Sequence, residues 1–257
     1  MRIVTWNVLG LTGYPADVAA GEIGRPGEAS SSDHFAGVFE GLDADVLALQ
    51  EGVAHSIVQD IARRFGRHLA TFPSPQSWPG HVLSHFPVVE SRTLSHVVAD
   101  DSLPRFSRTA GAALLQMSSD QQLWVVCVHL HPGDVELRAR EGTLLWERLQ
   151  GLLPFCENAV VLGDFNCEVD EPVHGHLRDS GFVNAMAAAG GGLQLTMDTA
   201  DIHDRKIDHI YLSSELGSRL TSAAIIRDVG FRTDPPRPEG AWDHSDHLPV
   251  QADLDWP

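Results

Sequence analysis

The sequence predicts a strand-rich α/β fold, and three features carry that expectation. Nine apolar runs of strand length, each bounded by turn residues, recur along the chain. Helical periodicities separate several of them. No fixed-period repeat, low-complexity tract or long linker divides the 257 residues. A chain of this length can bury roughly 75% of its unfolded surface in one core, so one domain over residues 1–257 is expected.

The elements follow in order. Residues 2 to 8 form a strand-like alternation through Ile3, Val4, Trp6 and Val8, and 45 to 50 is a short apolar run ending in Gln50-Glu51. Residues 53 to 65 place Ile57, Val58, Ile61 and Phe65 on one helical side, with Arg63, Arg64 and Arg67 clustered at its end; these could bind phosphate, but the favoured reading is the preference of the helix dipole for cations in a last turn. Strands are expected at 81 to 84, 110 to 117 and 123 to 130. The clearest helix spans 134 to 153, where Leu137, Leu144, Leu145, Leu149 and Leu152 recur at helical intervals. Further strands are expected at 159 to 164, 206 to 212, 222 to 227 and 247 to 254. The intervening stretches 12 to 32, 71 to 80, 96 to 109, 186 to 205 and 230 to 244 are rich in Gly, Pro, Ser and Asp, and read as a rim of loops at one end of the core.

Composition limits the function classes. With 18 basic against 35 acidic residues and a formal charge of −17, a broad phosphate-binding surface is not expected, because Lys and Arg supply much of the affinity for nucleic acid. Acidity alone leaves a nuclease open, since a metal bound in the cleft reverses the local field. Cys127, Cys156 and Cys167 lack the spacing of a zinc site or a disulfide framework and read as reduced structural thiols. The opening run is too short and polar for a signal-peptide core, and no run of about 18 apolar residues occurs, so no membrane partner and a cytoplasmic location are the expectation.

The chemistry is concentrated at strand ends. Asn7 ends the first run, Glu51 the second, His129 the run 125 to 129, and Asp164 and Asn166 the run 160 to 166, while Asp208 opens 207 to 212 and Ser245-Asp246-His247 precedes the last strand. Any one of these could cap a helix or make a turn. Six such sites are harder to explain structurally, because burying that many ionisable groups without a shared ligand costs several kcal/mol each. Oxygen donors with imidazoles beside them suit a hard divalent cation and a phosphoryl group better than zinc.

The motifs Thr5-Trp6-Asn7, Leu49-Gln50-Glu51, Val128-His129-Leu130, Gly163-Asp164-Phe165-Asn166, Lys206-Ile207-Asp208-His209-Ile210 and Ser245-Asp246-His247-Leu248-Pro249 occur in an order that resembles the endonuclease/exonuclease/phosphatase superfamily, also called deoxyribonuclease I-like. The resemblance implies a four-layer α/β sandwich: two mostly antiparallel sheets packed face to face, helices outside, and a site at one end. It implies a magnesium-dependent phosphoric ester hydrolase with water as nucleophile, manganese being the other candidate ion. Glu51 would be the direct metal ligand, with Asn7 nearby and Asp246 a further candidate. Asp164 would be the general base or orient the water, and Asn166 would position the phosphate. His247 would contact the scissile phosphate, its imidazole held by Asp208, and His129 would be a phosphate contact or proton donor.

Departures from the family pattern carry further expectations. His81 stands where relatives often have Asn, and Leu83 to Pro87 where many have Arg. His209 occupies a position where Tyr is common and is a candidate substrate contact. His131, His203 and His244 lie near motif residues and would line a polar pocket, bind a transition metal or simply be solvated. Arg108 and Arg105 are candidate substrate contacts through guanidinium's bidentate fork, or surface ion pairs with Asp100 or Asp101. The expected substrate is a small phosphomonoester or phosphodiester. A nuclease is the nearest alternative, and a non-catalytic scaffold of the same fold is a third reading that the intact set of reactive residues disfavours.

Overall fold

The computed structural model describes residues 1–14, 29–95, 105–198, 204–228, 230–231 and 243–256. Among the described residues fourteen strands run in chain order: β1 (Arg2–Asn7), β2 (Val46–Gln50), β3 (His68–Phe72), β4 (Gly80–Ser84), β5 (Val88–Thr93), β6 (Thr109–Gln116), β7 (Gln122–His129), β8 (Ala159–Asp164), β9 (Val183–Asn184), β10 (Met197–Asp198), β11 (Asp204–Arg205), β12 (Asp208–Leu212), β13 (Leu220–Ile225) and β14 (Val250–Leu254). The helices are α1 (Ala29–Gly41), α2 (His55–Arg64), α3 (Val135–Leu152), α4 (Pro172–Asp179), α5 (Ala185–Ala189) and α6 (Ser214–Gly217).

Two six-stranded sheets share one plan, β13-β14-β1-β2-β4-β3 and β5-β6-β7-β8-β12-β9. At the centre of each lies a parallel pair, β1 with β2 and β7 with β8, flanked by antiparallel neighbours. Strand parity explains the layering, because successive side chains point to opposite faces. Ile3, Val46, Val82, Val125, Cys127, Val160, Leu162 and Ile210 meet in one cluster between the sheets. The alternate residues Val4, Trp6 and Leu47 pack outward with Phe35, Phe39, Val58 and Ile61 of α1 and α2. On the other side Trp124, Val126 and Val161 pack with Leu144, Leu145 and Leu149 of α3. Helix, sheet, sheet, helix is the four-layer sandwich expected from the motifs, and the central strands read as continuous apolar runs because both their faces are buried.

Differences from the sequence reading have physical causes. Edge strands β3 and β5 were not expected: His68 of β3 and most of β5 are exposed, so neither shows an apolar run. Helix α1 begins inside the expected loop 12 to 32, since a Ser-rich start masks the Phe35 and Phe39 stripe that buries it. The short helices α4, α5 and α6 rest on tertiary packing rather than on local periodicity. The strand expected at 222 to 227 is shifted toward the N-terminus, to Leu220–Ile225, where it pairs with β14. The long helix starts where expected, its N-cap Asp134 accepting from the Leu137 amide at 2.9 Å. The α2 arginines are structural: Arg63 meets Asp60, Arg64 meets Asp33, and Arg67 reaches the Asp45 carbonyl at 3.4 Å.

Three histidines are built into the walls. His81 is held between Thr71 Oγ1 at 3.0 Å and the Val53 carbonyl at 3.0 Å. His174 meets Tyr211 Oη at 2.8 Å, and His209 lies edge-on to His174 with ring centroids 4.8 Å apart. Burial lowers the imidazole of His81 to about 4, His174 to about 4 and His209 to about 3. A buried neutral imidazole stabilises the fold above the unfolded value near 6.5, and that contribution is lost as pH falls toward the folded value, because the unfolded chain takes up the proton first. Urea unfolding between pH 7 and 5 should therefore show stability falling with acid. In His209→Phe that slope should shrink by about 1 kcal/mol per pH unit, and an unchanged slope would mean that this ring is not buried neutral.

Candidate active site

Parity also delivers the polar residues. Asn7 continues the inward face of Ile3 and Thr5, His129 that of Val125 and Cys127, Asp164 that of Val160 and Leu162, and Asp208 that of Ile210 and Leu212. Register sets three of them abreast, with His129 opposite Asp164 and Asp164 opposite Asp208. Asn7 and Glu51 arrive from the parallel pair of the other sheet, so the site lies beyond the carboxyl ends of both central pairs. Glu51 has the wrong parity. A left-handed backbone, φ 50°, at that position breaks the alternation immediately after β2, and Asn166 (φ 54°) does the same after β8. Such a conformation in a non-glycine residue costs about 1 kcal/mol or more and clusters at functional sites. Gly163 has φ 140°, and a Cβ there would stand 1.9 Å from the Val128 carbonyl oxygen, so only glycine lets β8 pass β7 at this point.

The side chains converge. Asn7 Nδ2 donates to Asp164 Oδ2 at 3.0 Å, joining the two sheets, while its Oδ1 accepts from the Leu9 amide at 3.1 Å. His129 Nε2 stands 3.7 Å from Glu51 Oε1 and 3.6 Å from Asp164 Oδ2. His247 Nε2 faces the same Asp164 oxygen at 3.9 Å, and its Nδ1 meets Asp208 Oδ2 at 2.9 Å. The segment before β14 is pinned by Ser245, whose hydroxyl donates to the Asn7 carbonyl at 2.7 Å and accepts from the His247 amide at 3.1 Å. Trp6 Nε1 donates to the His247 carbonyl at 3.0 Å.

Burial and neighbouring charge set the protonation states. Burial would lower His247, but the Asp208 carboxylate, with Asp164 and Asp246 behind it, holds it well above its ordinary value. His129 is pushed down to about 4 by burial, with Arg108 and His247 acting in the same direction against Asp164. Glu51 is raised to about 7, first by burial and then by Asp164 and Asp246, against His247 and the Asn7 amide. Asp164 is raised by burial and by Asp208. The pattern is an excess of buried carboxylate with one imidazolium to offset it.

That excess fits a divalent cation. Glu51 and Asp164 supply hard oxygen donors beside the Asn7 amide, Asp246 lies within electrostatic reach of Glu51, and the buried Asp208 Oδ1 has no hydrogen-bond partner among the described residues. Asp164, Asp208 and His247 also present ligand atoms within 4.8 Å of one another.

Not every expected site residue joins this cluster. His209 has outward parity and sits in an aromatic box with Phe165, His174 and Tyr211, its Nε2 3.3 Å from the Cys167 carbonyl, so the structure places it in the wall and not in the cluster. Asn166 directs its amide to the Leu130 carbonyl at 3.0 Å and its backbone N–H to Asp164 Oδ1 at 2.8 Å, which fixes the carboxylate. Arg108 lies over Trp78, 4.6 Å from the ring centroid, with its buried Nε unpartnered, and Trp78 stacks parallel to His129 with centroids 6.4 Å apart. Arg105 is exposed. His131 accepts from the Gly133 and Asp134 amides and shapes a turn. His244 packs on Phe231 and pairs with His34 at 3.1 Å, forming a second wall. His203, Asp100 and Asp101 lie outside the described residues.

Two contributors carried no readable signal. Trp78 comes from a stretch that reads only as turn. Glu141 is buried on α3, where its carboxylate accepts from the Ser107 amide at 2.6 Å and the His131 amide at 2.9 Å, clamping the segments that carry Arg108 and His129. A lone Glu on a helix reads as surface, and only the loops folded over it reveal the clamp.

The sequence matches the Endonuclease/Exonuclease/phosphatase family over residues 4–247. No curated protein matches by sequence. Among solved structures, a mannosyl-6-phosphatase from Bacteroides thetaiotaomicron superposes with TM-score 0.75 at 16% identity, covering 100% of both chains. A 3' phosphatase from Neisseria, bound to a product DNA hairpin, gives 0.71 at 19% identity over 100% of both chains. Truncated TDP2 from Caenorhabditis elegans gives 0.70 at 17% identity, covering 98% of this chain and 96% of that one.

Proposed function

Because this chain belongs to the endonuclease/exonuclease/phosphatase family, whose members hydrolyse phosphoesters, we propose that it is a magnesium-dependent phosphoesterase acting on a small phosphorylated substrate. The observation that carries the reading is the convergence of Asn7, Glu51, His129, Asp164, Asp208 and His247 within hydrogen-bonding and ion-pair distances at one end of the sandwich. Manganese is the other ion with matching donor preference.

Glu51, with Asn7 and Asp246 beside it, would hold the cation. When bound, the cation supplies Lewis-acid polarisation and neutralises charge on the phosphoryl oxygens. Asp164, fixed through both oxygens by Asn7 and Asn166, is placed to orient the attacking water and take its proton as the new P–O bond forms and the ester bond breaks. His247, kept cationic by Asp208, offers Nε2–H to the phosphoryl oxygens. His129 is neutral, and its inward-facing Nε2 makes it a hydrogen-bond donor rather than a proton source. Arg108, one residue before β6, is the candidate for a further phosphate contact. Asn166 is a positioning residue. Several groups are required, because phosphoester hydrolysis needs on the order of 20 kcal/mol removed from its barrier and one donor supplies about 3 to 4.

The acidic composition supports a small substrate over a duplex. Exposed Trp78 under Arg108 is the observation that favours nucleic acid as a second reading, since bases stack on such platforms. The free thiols support a reducing, cytoplasmic setting, and no described helix is long and apolar enough to cross a membrane. Hydrolysis of bis-p-nitrophenyl phosphate and p-nitrophenyl phosphate should depend on magnesium and fall by about 100-fold or more in EDTA. Plasmid nicking at low salt with neither ester cleaved would move the assignment to a nuclease. No turnover of any phosphorylated compound in a broad panel would leave a scaffold.

A further inference from the structure

A cavity of about 510 Å³ opens beside Glu51. Leu9, Val53, Ala54, Ile57 and Trp78 are its apolar side chains, and Glu51 is the single ionisable one among the described residues that line it. No Lys, Arg or His is among the described residues that line it, although the cavity shares Glu51 and Trp78 with the phosphate site. Of its hydroxyls, that of Thr12 already donates to the Leu9 carbonyl at 2.7 Å. The volume lies within the range of small-molecule sites, and the apolar lining matches them too.

The backbone is held in unusual conformations to shape this wall. Leu9 has φ 46° and Gly10 φ 63°. A left-handed bulky residue is an outlier that persists only when its surroundings fix it. Here the Leu9 amide donates to Asn7 Oδ1 at 3.1 Å and the Gly10 amide to the Glu51 carbonyl at 2.8 Å, so Asn7 and Glu51 themselves fix the cavity wall. Opposite, the Trp78 loop is tied down where the Gly52 amide donates to the Pro79 carbonyl at 2.9 Å and Thr109 Oγ1 to the Trp78 carbonyl at 2.7 Å. Trp78 nevertheless remains 40% exposed, leaving aromatic surface for a ligand.

We propose that this cavity is the subsite for the organic group of the phosphoester, and that the group it takes is an uncharged flat ring, an aryl group or a nucleobase. The inference rests on the phosphoesterase reading and deepens it. Beyond the cation that Glu51 would hold, an anionic group, such as the next phosphate of a polyphosphate or nucleic acid strand, would find no Lys, Arg or His among the described lining residues. A sugar would bury hydroxyls against Leu9, Val53 and Ile57 without partners. A ring gains by leaving water and by stacking on indole.

The test uses non-hydrolysable phosphonates on the magnesium-loaded protein, with calorimetric binding and inhibition of bis-p-nitrophenyl phosphate hydrolysis as readouts. Benzylphosphonate should bind about ten-fold or more tightly than methylphosphonate. Val53→Asp and Ile57→Asp should each bring the ratio toward one. Equal affinities in the parent protein, a ratio untouched by both variants, or a sugar phosphate binding as tightly as the aryl compound, each with ester hydrolysis intact, would overturn the subsite alone. Absence of any metal-dependent ester hydrolysis would overturn the phosphoesterase reading, and the subsite with it.

Discussion

Asp164→Asn should lower kcat by about 10³-fold or more while leaving the midpoint of thermal unfolding in EDTA unchanged or a few degrees higher. The two effects have one cause. Asp164 is buried beside Asp208, so its charge is costly in the metal-free fold, which is why its carboxyl is raised. An amide of the same shape removes that repulsion. It gives up one acceptor, because Asn7 and Asn166 both donate to this side chain. It also removes the base that faces His129 and His247. Calorimetry with and without magnesium separates the contributions: the parent should gain more from the ion than the variant does. A variant that keeps near-parental turnover would show that the carboxylate does not act on the water. A large fall in its unfolding temperature would show that Asp164 is structural.

Gly163→Ala is expected to be the most destabilising single-methyl change in the core, costing about 3 kcal/mol or more in urea unfolding. The new Cβ would meet the Val128 carbonyl oxygen at 1.9 Å, on a backbone at φ 140° that L residues rarely adopt. Relief requires β7 and β8 to separate, and the next residue on each strand is His129 and Asp164, which are opposite one another in register. Activity should fall with stability. Gly151→Ala is the control: nothing lies within 4 Å of its added methyl near the end of α3, and it should gain up to about 1 kcal/mol. Comparable stabilities for the two variants would mean that the close approach of β7 and β8 is not what requires glycine.

The helix dipole reading of Arg63 and Arg64, the long helix near 134 to 153 and the inner strands all follow from local chemistry, and the structure has them where that chemistry puts them. The edge strands β3 and β5 and helix α1 escaped because their stabilisation comes from neighbours distant in sequence rather than from their own pattern. His209 shows how nearly the site was readable. It lies one residue after Asp208, and strand alternation alone sends one side chain to the cleft and the other into the wall.

Local sequence determined which strands carry carboxylate, amide or imidazole at their ends and, within the strands though not at Glu51, on which face, because a two-residue period needs no distant information. Tertiary structure decided which ends meet. The parallel pairing of β1 with β2 and β7 with β8, the stacking of the two sheets and the left-handed turns at Leu9, Glu51 and Asn166 place site residues up to 241 positions apart within hydrogen-bonding distance. Asn7 reaching Asp164 across the sheets is a matter of registry and packing, which depend on the whole core being filled at once.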